Sequence, residues 1–461
     1  MIFLSALNIV ILFVLLRIDR DKSFGNIFSA GAIFIYFALL PALSNFYFSI
    51  YQDKLYSVVL SLVAPQFRDL FYVKAALTFT ILGNILTYIG IYIGANSRNK
   101  WFNFILNNLL LHKFHRHIWG DDEHNDKVNK TLFNFGIITY ILGILVYIIF
   151  LKKMGGLISL WAEMNTRSTK NAGLGYYQTF YMIAIQLGAI IIIWYSFQNK
   201  KKLLRYIIVA STIMIIGSMG ARGPVIIFII STMIMYHFLI KRIKTLINPK
   251  YITAIILLPI FIVVMLQLRS NSLSFYLNNK DVLIENSIES FESGFIARVG
   301  RLERDIVILK YFTDNDFWWG KSFYGLVYAP IPRSIFPKKP PNDSGMYLRV
   351  MALGQKVTPP MPVSQLGSSS WPEWNWVGYM NWGLPGFILF FYFSGLLFGK
   401  LFKYITFHKY PVIASCIFSI LAVGGPPILS PPGIINLLMF FIVTFILMFF
   451  AFLPFKVRIH Y

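Results

Sequence analysis

The sequence predicts an all-α polytopic membrane protein, with about eleven transmembrane helices and one large loop on the outer face. Three observations predict it. Of the 461 residues, 57% are hydrophobic and only 13% are charged, against about 25% charged in an ordinary soluble domain. The apolar residues come in runs of 15 to 25, the length that carries a helix across roughly 30 Å of hydrocarbon. Segments of about ten residues with alternating polarity, the mark of a membrane barrel, do not occur. A helix also satisfies its backbone N–H and C=O groups internally, which lipid demands.

The spans are predicted near residues 2–16, 27–50, 75–95, 132–151, 179–197, 206–219, 224–240, 252–268, 384–400, 410–427 and 434–453. Met1 to Leu16 has no basic residue ahead of it and no small-residue cleavage site after it, so it reads as a span rather than a cleaved leader. Loops after odd-numbered spans, together with the C-terminal tail, carry 22 Lys and Arg; the short loops on the other side carry eight. Basic residues collect on the cytoplasmic side. The expected topology therefore has the N-terminus outside and the C-terminus inside, with 96–131 as a cytoplasmic loop. The same rule accounts for most of the net charge of +23 without a nucleic acid partner. The one cysteine, Cys416, lies in an apolar run, so no disulfide framework is expected.

The chain reads as a single transmembrane domain, 1–461, with residues 269–382 inserted between spans eight and nine on the outer face. This loop is much longer than a connection requires, which points to function. Asp281 to Phe312 reads as amphipathic helix interrupted at Gly294 and Gly300, and Pro330 to Pro362 as irregular and proline-rich.

Several residues are candidates for chemistry. Arg298, Arg301 and Arg304 recur every third position and would share one side of a helix. Arginine binds phosphate bidentately and keeps its charge; the alternative is a solvated helix face paired to Glu303 and Asp305. Arg222 lies in the tight turn Gly220-Ala221-Arg222-Gly223-Pro224 between two apolar runs, where an unpaired charge costs roughly 2.5–3.5 kcal/mol. Its alternative role is snorkelling to the outer surface. Arg333 is held between prolines and followed by Lys338 and Lys339, a cluster suited to a diphosphate. Six of the ten tryptophans lie in the large loop. Trp318, Trp319, Trp371, Trp374 and Trp376 are candidates to stack on sugar rings, and Trp382 reads as an interface anchor. Glu373 sits among these rings, where desolvation would raise its pKa and suit it as a general base.

Other chemistries are excluded or weakly signalled. His112, His115, His117, His124, His237, His408 and His460 all fall on the cytoplasmic side, so none is available at the outer face. His112, His115, His117 and His124 with Asp121 and Asp122 could hold a metal, but a polar cytoplasmic loop is the simpler account and no metal site is assigned. Asp314-Asn315-Asp316 has the spacing of a metal–nucleotide-sugar motif, which any acidic turn produces. No phosphate-binding loop, dinucleotide fingerprint or nucleophile elbow is present, so neither ATP nor another cofactor is expected.

Four stretches carry a family resemblance. These are Gly217 to Pro224, Arg301-Leu302, Gly320 to Pro340 (ending Ile-Pro-Arg-Ser-Ile-Phe-Pro-Lys-Lys-Pro), and Glu373 to Gly386. Across roughly 150–400 the chain resembles the polymerases of oligosaccharide repeat units, the O-antigen polymerase (Wzy) group. It lacks the arginine, ten residues, glycine pattern of some members; the nearest spacing runs from Lys356 to Gly367. The resemblance implies a multi-span (GT-C-like) glycosyltransferase of a bacterial inner membrane, with the large loop in the periplasm. Its donor and acceptor would be undecaprenyl-diphosphate-linked oligosaccharides, and a Wzz-type chain-length regulator its partner. Glu373 would deprotonate the acceptor hydroxyl, and Arg222, Arg301 and Arg333 would stabilise the departing diphosphate. The rivals are an O-antigen ligase, which relies on an external histidine, a flippase for the same lipid-linked sugars, and a passive assembly protein.

Overall fold

The computed structural model describes residues 1–22, 26–96, 126–157, 174–218, 222–243, 297–329, 331, 335–336, 338–341, 343–366, 371, 374–407, 412–423, 426 and 429–452. Every regular element among them is helical. In chain order these are α1 (Ile2–Lys22), α2 (Ala30–Ile50), α3 (Leu70–Asn96), α4 (Asp126–Lys153), α5 (Gly175–Gln198), α6 (Lys202–Gly217) and α7 (Arg222–Leu239). They continue with α8 (Ala297–Gly300), α9 (Leu302–Asp314), α10 (Tyr324–Tyr328), α11 (Gly345–Ala352), α12 (Val377–Phe407), α13 (Val412–Ala422) and α14 (Pro431–Phe452), with short turns between.

Six of the described helices, α1 to α5 and α12, are long and apolar enough to cross a membrane. The apolar parts of α7, α13 and α14 are shorter, and α6 has 16 residues. Ten of the predicted spans thus fall on helices, and 252–268 lies outside the described residues. The protein is an all-α, multi-pass membrane chain.

The chain forms two compact units. The first is Met1–Ala95, Ile247–Gly399 and Gly425–Asn436; the second is Asn96–Leu246, Lys400–Gly424 and Leu437–Tyr461. Most of the predicted cytoplasmic loop, 97–125, lies outside the described residues, as does the first part of the predicted outer loop, 269–296.

In the first unit, α1 and α2 form an antiparallel hairpin. Ser29 caps α2 by accepting from the Ala32 amide at 3.0 Å, and its hydroxyl donates to Asp19 of α1. Near the other end, the hydroxyls of Ser5 and Ser49 pair at 2.7 Å. Asn84 of α3 donates to Asn8 Oδ1 of α1 at 3.1 Å. Such polar side chains bond helices to one another where lipid offers no alternative partner.

Helices α3 and α12 run parallel in near-backbone contact. A Cβ on Gly395 would lie 2.0 Å from the Thr87 carbonyl oxygen, and one on Gly399 would lie 2.2 Å from that of Ile91. The Gly395-x-x-x-Gly399 spacing puts both glycines on one face, the arrangement that lets spanning helices approach most closely. At its start α12 doubles back. Gly383 takes φ 63° with ψ −147°, backbone that favours glycine. The reversal brings Gly378 against the Gly386 carbonyl. The uninterrupted helix begins at Leu384, beside Pro385 in its first turn, where proline is tolerated.

Much of the first unit's core comes from the segment predicted as a polar loop on the outer face. Ile306, Val307, Ile308, Trp318, Leu348 and Met351 pack with Val73, Ala76 and Leu77 of α3. In the second unit, α4 and α5 meet through Gly136, Gly143 and Gly188, with a Gly188 Cβ only 2.7 Å from the Tyr140 amide. Tyr140 shares hydrogen bonds with Ser211 and Thr212 of α6, and Tyr147 donates to Ser218 at 2.7 Å.

The glycine seam yields a test. Gly395→Leu is expected to destabilise the detergent-solubilised protein by at least the ~1–3 kcal/mol of an overpacked core. Leu397→Ala, half-exposed on the same helix, is expected to change its melting temperature little.

Candidate functional site

Two short helices meet at a residue in an unusual conformation. α8 ends at Gly300, α9 begins at Leu302, and Arg301 between them takes left-handed φ 54° and ψ 22°. For a side chain larger than glycine this backbone costs roughly 1–2 kcal/mol, so the surroundings must impose it. Gly300 shows how. A Cβ there would lie 2.5 Å from Ser44 Oγ and 2.8 Å from Asn45 Oδ1 of α2. Glycine alone lets the backbone press this close, and the chain must then turn sharply to run on as α9.

The turn carries four charged residues into the protein. Glu303, Arg304 and Asp305 are 8%, 5% and 4% exposed. Arg304 Nε donates to Asp305 Oδ1 at 2.6 Å, and its Nη2 lies against the same oxygen. Thr80 of α3 donates to Asp305 Oδ2 at 3.4 Å. Both carboxylates stand in the first turn of α9, where the helix dipole favours negative charge. Glu303 Oε2 is buried and has no hydrogen-bond partner among the described residues.

The depth of the cluster follows from helix geometry. Ser44 is six residues, about 9 Å, before the end of α2, and Thr80 is ten residues, about 15 Å, into α3. The charges therefore lie inside the bundle of the first unit rather than on a rim. Two arginines and two carboxylates balance in formal charge.

Burial sets the protonation behaviour. Desolvation pushes the Glu303 carboxyl up to about 7, partly opposed by hydrogen bonding to its own backbone and by the charge of Arg304. Desolvation also raises the Asp305 pKa, against the attraction and hydrogen bond of Arg304. Arg301 is pulled down to about 9, first by burial and then by repulsion from Arg304. A carboxyl poised near neutrality can exchange a proton with a reacting group, and perturbed groups of this kind concentrate at functional sites.

The sequence candidates are thus sorted. Arg301 and Arg304 come together, in a buried cluster instead of on a solvated face. Arg298 belongs to α8, with its side chain outside the described residues, as are Arg333 and Glu373 entirely. Arg222 opens α7 of the second unit. Lys338 is exposed, while Lys339 is buried and donates to the carbonyls of Ala329 and Ile331 at 2.9 and 3.0 Å. Trp318 and Trp376 are core residues, 1% and 2% exposed. Trp318 packs on Phe312 and Tyr347, and Trp376 on Phe79 and Phe387. Neither offers a free face to a sugar. Trp319 is 68% exposed, and half-buried Trp371 lies under the Arg349 guanidinium at 5.3 Å. Trp374 begins a short turn, its side chain outside the described residues.

Glu303 and Asp305 are the functional candidates that sequence reasoning passes over, treating them as solvent-side partners of the arginines. A signal was present: Ile306-Val307-Ile308-Leu309 follows at once, a helix turn apolar on every side. Such a helix is surrounded by protein or lipid, and its charged first turn goes in with it.

The chain matches no protein-family model, no curated protein and no solved structure.

The raised Glu303 pKa predicts a pH-dependent stability. Below its ordinary value of 4.5 the group is protonated in folded and unfolded chains alike; between there and about 7 the unfolded chain ionises first. The fold therefore loses stability as pH rises through this window, on the order of 3 kcal/mol in all. Glu303→Gln should remove that loss. Its melting temperature is expected to rise above the parent's progressively from pH 4.5 to 7 and to keep the difference at higher pH. Parallel melting curves across the range would mean that Glu303 is buried as a stabilised anion.

Proposed function

We propose that this protein is a glycosyltransferase that polymerises undecaprenyl-diphosphate-linked oligosaccharide repeat units into O-antigen or a related surface polysaccharide. The observation that carries the reading is the burial of Arg304 beside Glu303 and Asp305, with Arg301 partly buried next to them, against two helices long and apolar enough to cross a membrane. A lipid-borne sugar diphosphate must be activated at the membrane, and it requires fixed cations for its leaving group and a base for its acceptor. The resemblance in Gly217–Pro224, Gly320–Pro340 and Glu373–Gly386 supports the same reading. The architecture proposed with it has about eleven spans in a GT-C-like arrangement, in a bacterial inner membrane, with the N-terminus periplasmic and the C-terminus cytoplasmic. A Wzz-type chain-length regulator is the proposed partner.

In this reaction the acceptor hydroxyl oxygen attacks the anomeric carbon of the growing chain. The bond from that carbon to the lipid diphosphate breaks, and the diphosphate leaves with the electron pair. The hydroxyl proton passes to a carboxylate, Glu303 or Glu373. Arg301 and Arg304, with Arg333, stabilise the charge gathering on the diphosphate, and fixed charges in a water-poor site do so most effectively. The leaving group carries its own activation, so no nucleotide or other cofactor enters.

A second reading is favoured by the same burial. Charges held among spanning helices also suit a flippase for lipid-linked sugars. Purified protein given lipid-linked repeat units in liposomes separates the two: a polymerase lengthens the glycan, whereas a flippase moves it across the bilayer unchanged.

The variants test the site. Arg301→Gly tolerates the left-handed backbone while removing the cation, and Glu303→Gln keeps the shape while removing the base. Both, with Arg333→Ala, are expected to reduce long-chain product by at least ~10²-fold while the protein still inserts and single repeat units persist. Full ladders from all three would remove the diphosphate-site assignment.

A further inference from the structure

The described residues between Trp319 and Lys339 are held like a platform at the head of a spanning helix. At one end, the amides of Trp318 and Trp319 donate to the carbonyls of Met380 and Asn381 at 3.0 and 2.9 Å. The Gly320 amide donates to Asn381 Oδ1, and Asn381 Nδ2 donates to Ser322 Oγ. Asn381 stands three residues before the uninterrupted part of α12 begins at Leu384. Phe323 then packs on Trp382 and on Phe390, whose own centroids are 5.6 Å apart. At the other end, Tyr328 packs edge-on to Phe336, and buried Lys339 closes the loop on the Ala329 and Ile331 carbonyls.

This platform is apolar on the outside. Trp319, Tyr324, Val327 and Ile335 are 68%, 51%, 71% and 75% exposed, and Tyr328 and Ile331 more than a third. Tyr324, Val327 and Tyr328 fall at helical spacing and share one side of α10, and Ile331 follows just beyond it. Gly325 and Ser322 of the same stretch are buried. Lys321 and Lys338 are exposed as well. An exposed apolar face of this size on a segment that spans nothing needs an occupant.

We infer that the described residues 319–329, 331, 335–336 and 338 lie in the membrane interface, with Tyr324, Val327, Tyr328, Ile331 and Ile335 in the outermost hydrocarbon and Lys321 and Lys338 among lipid headgroups. The depth is set by α12. That helix is a membrane span by length and composition, and Leu384, Leu389 and Phe393 on it are exposed and apolar. A segment bonded to Asn381 and packed on Phe390 sits where this span enters the bilayer. Tyrosine and tryptophan concentrate at that level, and the flanking lysines suit anionic headgroups. The inference depends on the span and on nothing about the reaction.

Nitroxide labels test it in the whole protein. The sole cysteine, Cys416, is buried, and Val327→Cys and Ile335→Cys place labels at exposed positions. In nanodiscs of phosphatidylcholine and phosphatidylglycerol, relaxation by oxygen is compared with relaxation by a water-soluble nickel chelate. A label at Phe393→Cys gives the hydrocarbon reference and a free nitroxide the aqueous one. Both platform labels are expected to favour oxygen, at values between the two references. Water-like values at either site would overturn the inference. So would shielding from both reagents, which would show that a protein surface covers the face.

Discussion

The tightest constraint in the first unit is the burial of one charged helical turn. Glu303, Arg304 and Asp305 are buried against two helices long and apolar enough to cross a membrane, and charges in such a place are stable only when they answer one another. Removing one member of a buried pair costs more than the pair contributes, because the other charge is stranded. The surrounding features follow from holding this turn in place. Gly300 lets the backbone reach Ser44 and Asn45, the left-handed Arg301 turns the chain into α9, and Thr80 supplies a hydrogen bond from the opposite wall. Strained backbone persists only where its surroundings over-determine it, and here two spans and a packed helix do so.

The rest of the unit makes that wall stiff. α3 carries Thr80 toward the cluster and, further along, presses its backbone against Gly395 and Gly399 of α12. Helices in backbone contact cannot slide without losing many close contacts at once. α9 is fixed on its other sides by Trp318, Tyr347 and Leu348. A group with a shifted pKa keeps that shift only if water is kept away, and this packing keeps it away from Glu303.

Particular residues show what was legible beforehand. Arg301 and Arg304 could be picked out by their spacing, because helical periodicity is local and the residue types are unambiguous. Whether they faced water or protein was not local. It depended on α9 being covered by α11, tens of residues away, and by α3, more than two hundred residues away. The tryptophans divided for the same reason. Trp318 and Trp319 are neighbours, yet one is buried and the other exposed, since the left-handed turn at Trp319 and Gly320 sends their side chains apart. Glu303 carried a sequence signal in the apolar run behind it, but its raised pKa required knowing that Oε2 is buried with no hydrogen-bond partner among the described residues.

Sequence by itself determined that the chain is helical and crosses a membrane, because the bilayer acts on each segment separately: length and polarity decide insertion before any two helices meet. It also determined which residues had the chemistry to bind phosphate. Tertiary structure alone decided that the segment predicted as an outer loop supplies much of the first unit's core and that its charged turn lies among the spans. It also decided that a row of aromatic and aliphatic side chains stays uncovered at the head of α12. These outcomes depend on competition among distant surfaces for burial, and that competition is settled only when the helices pack.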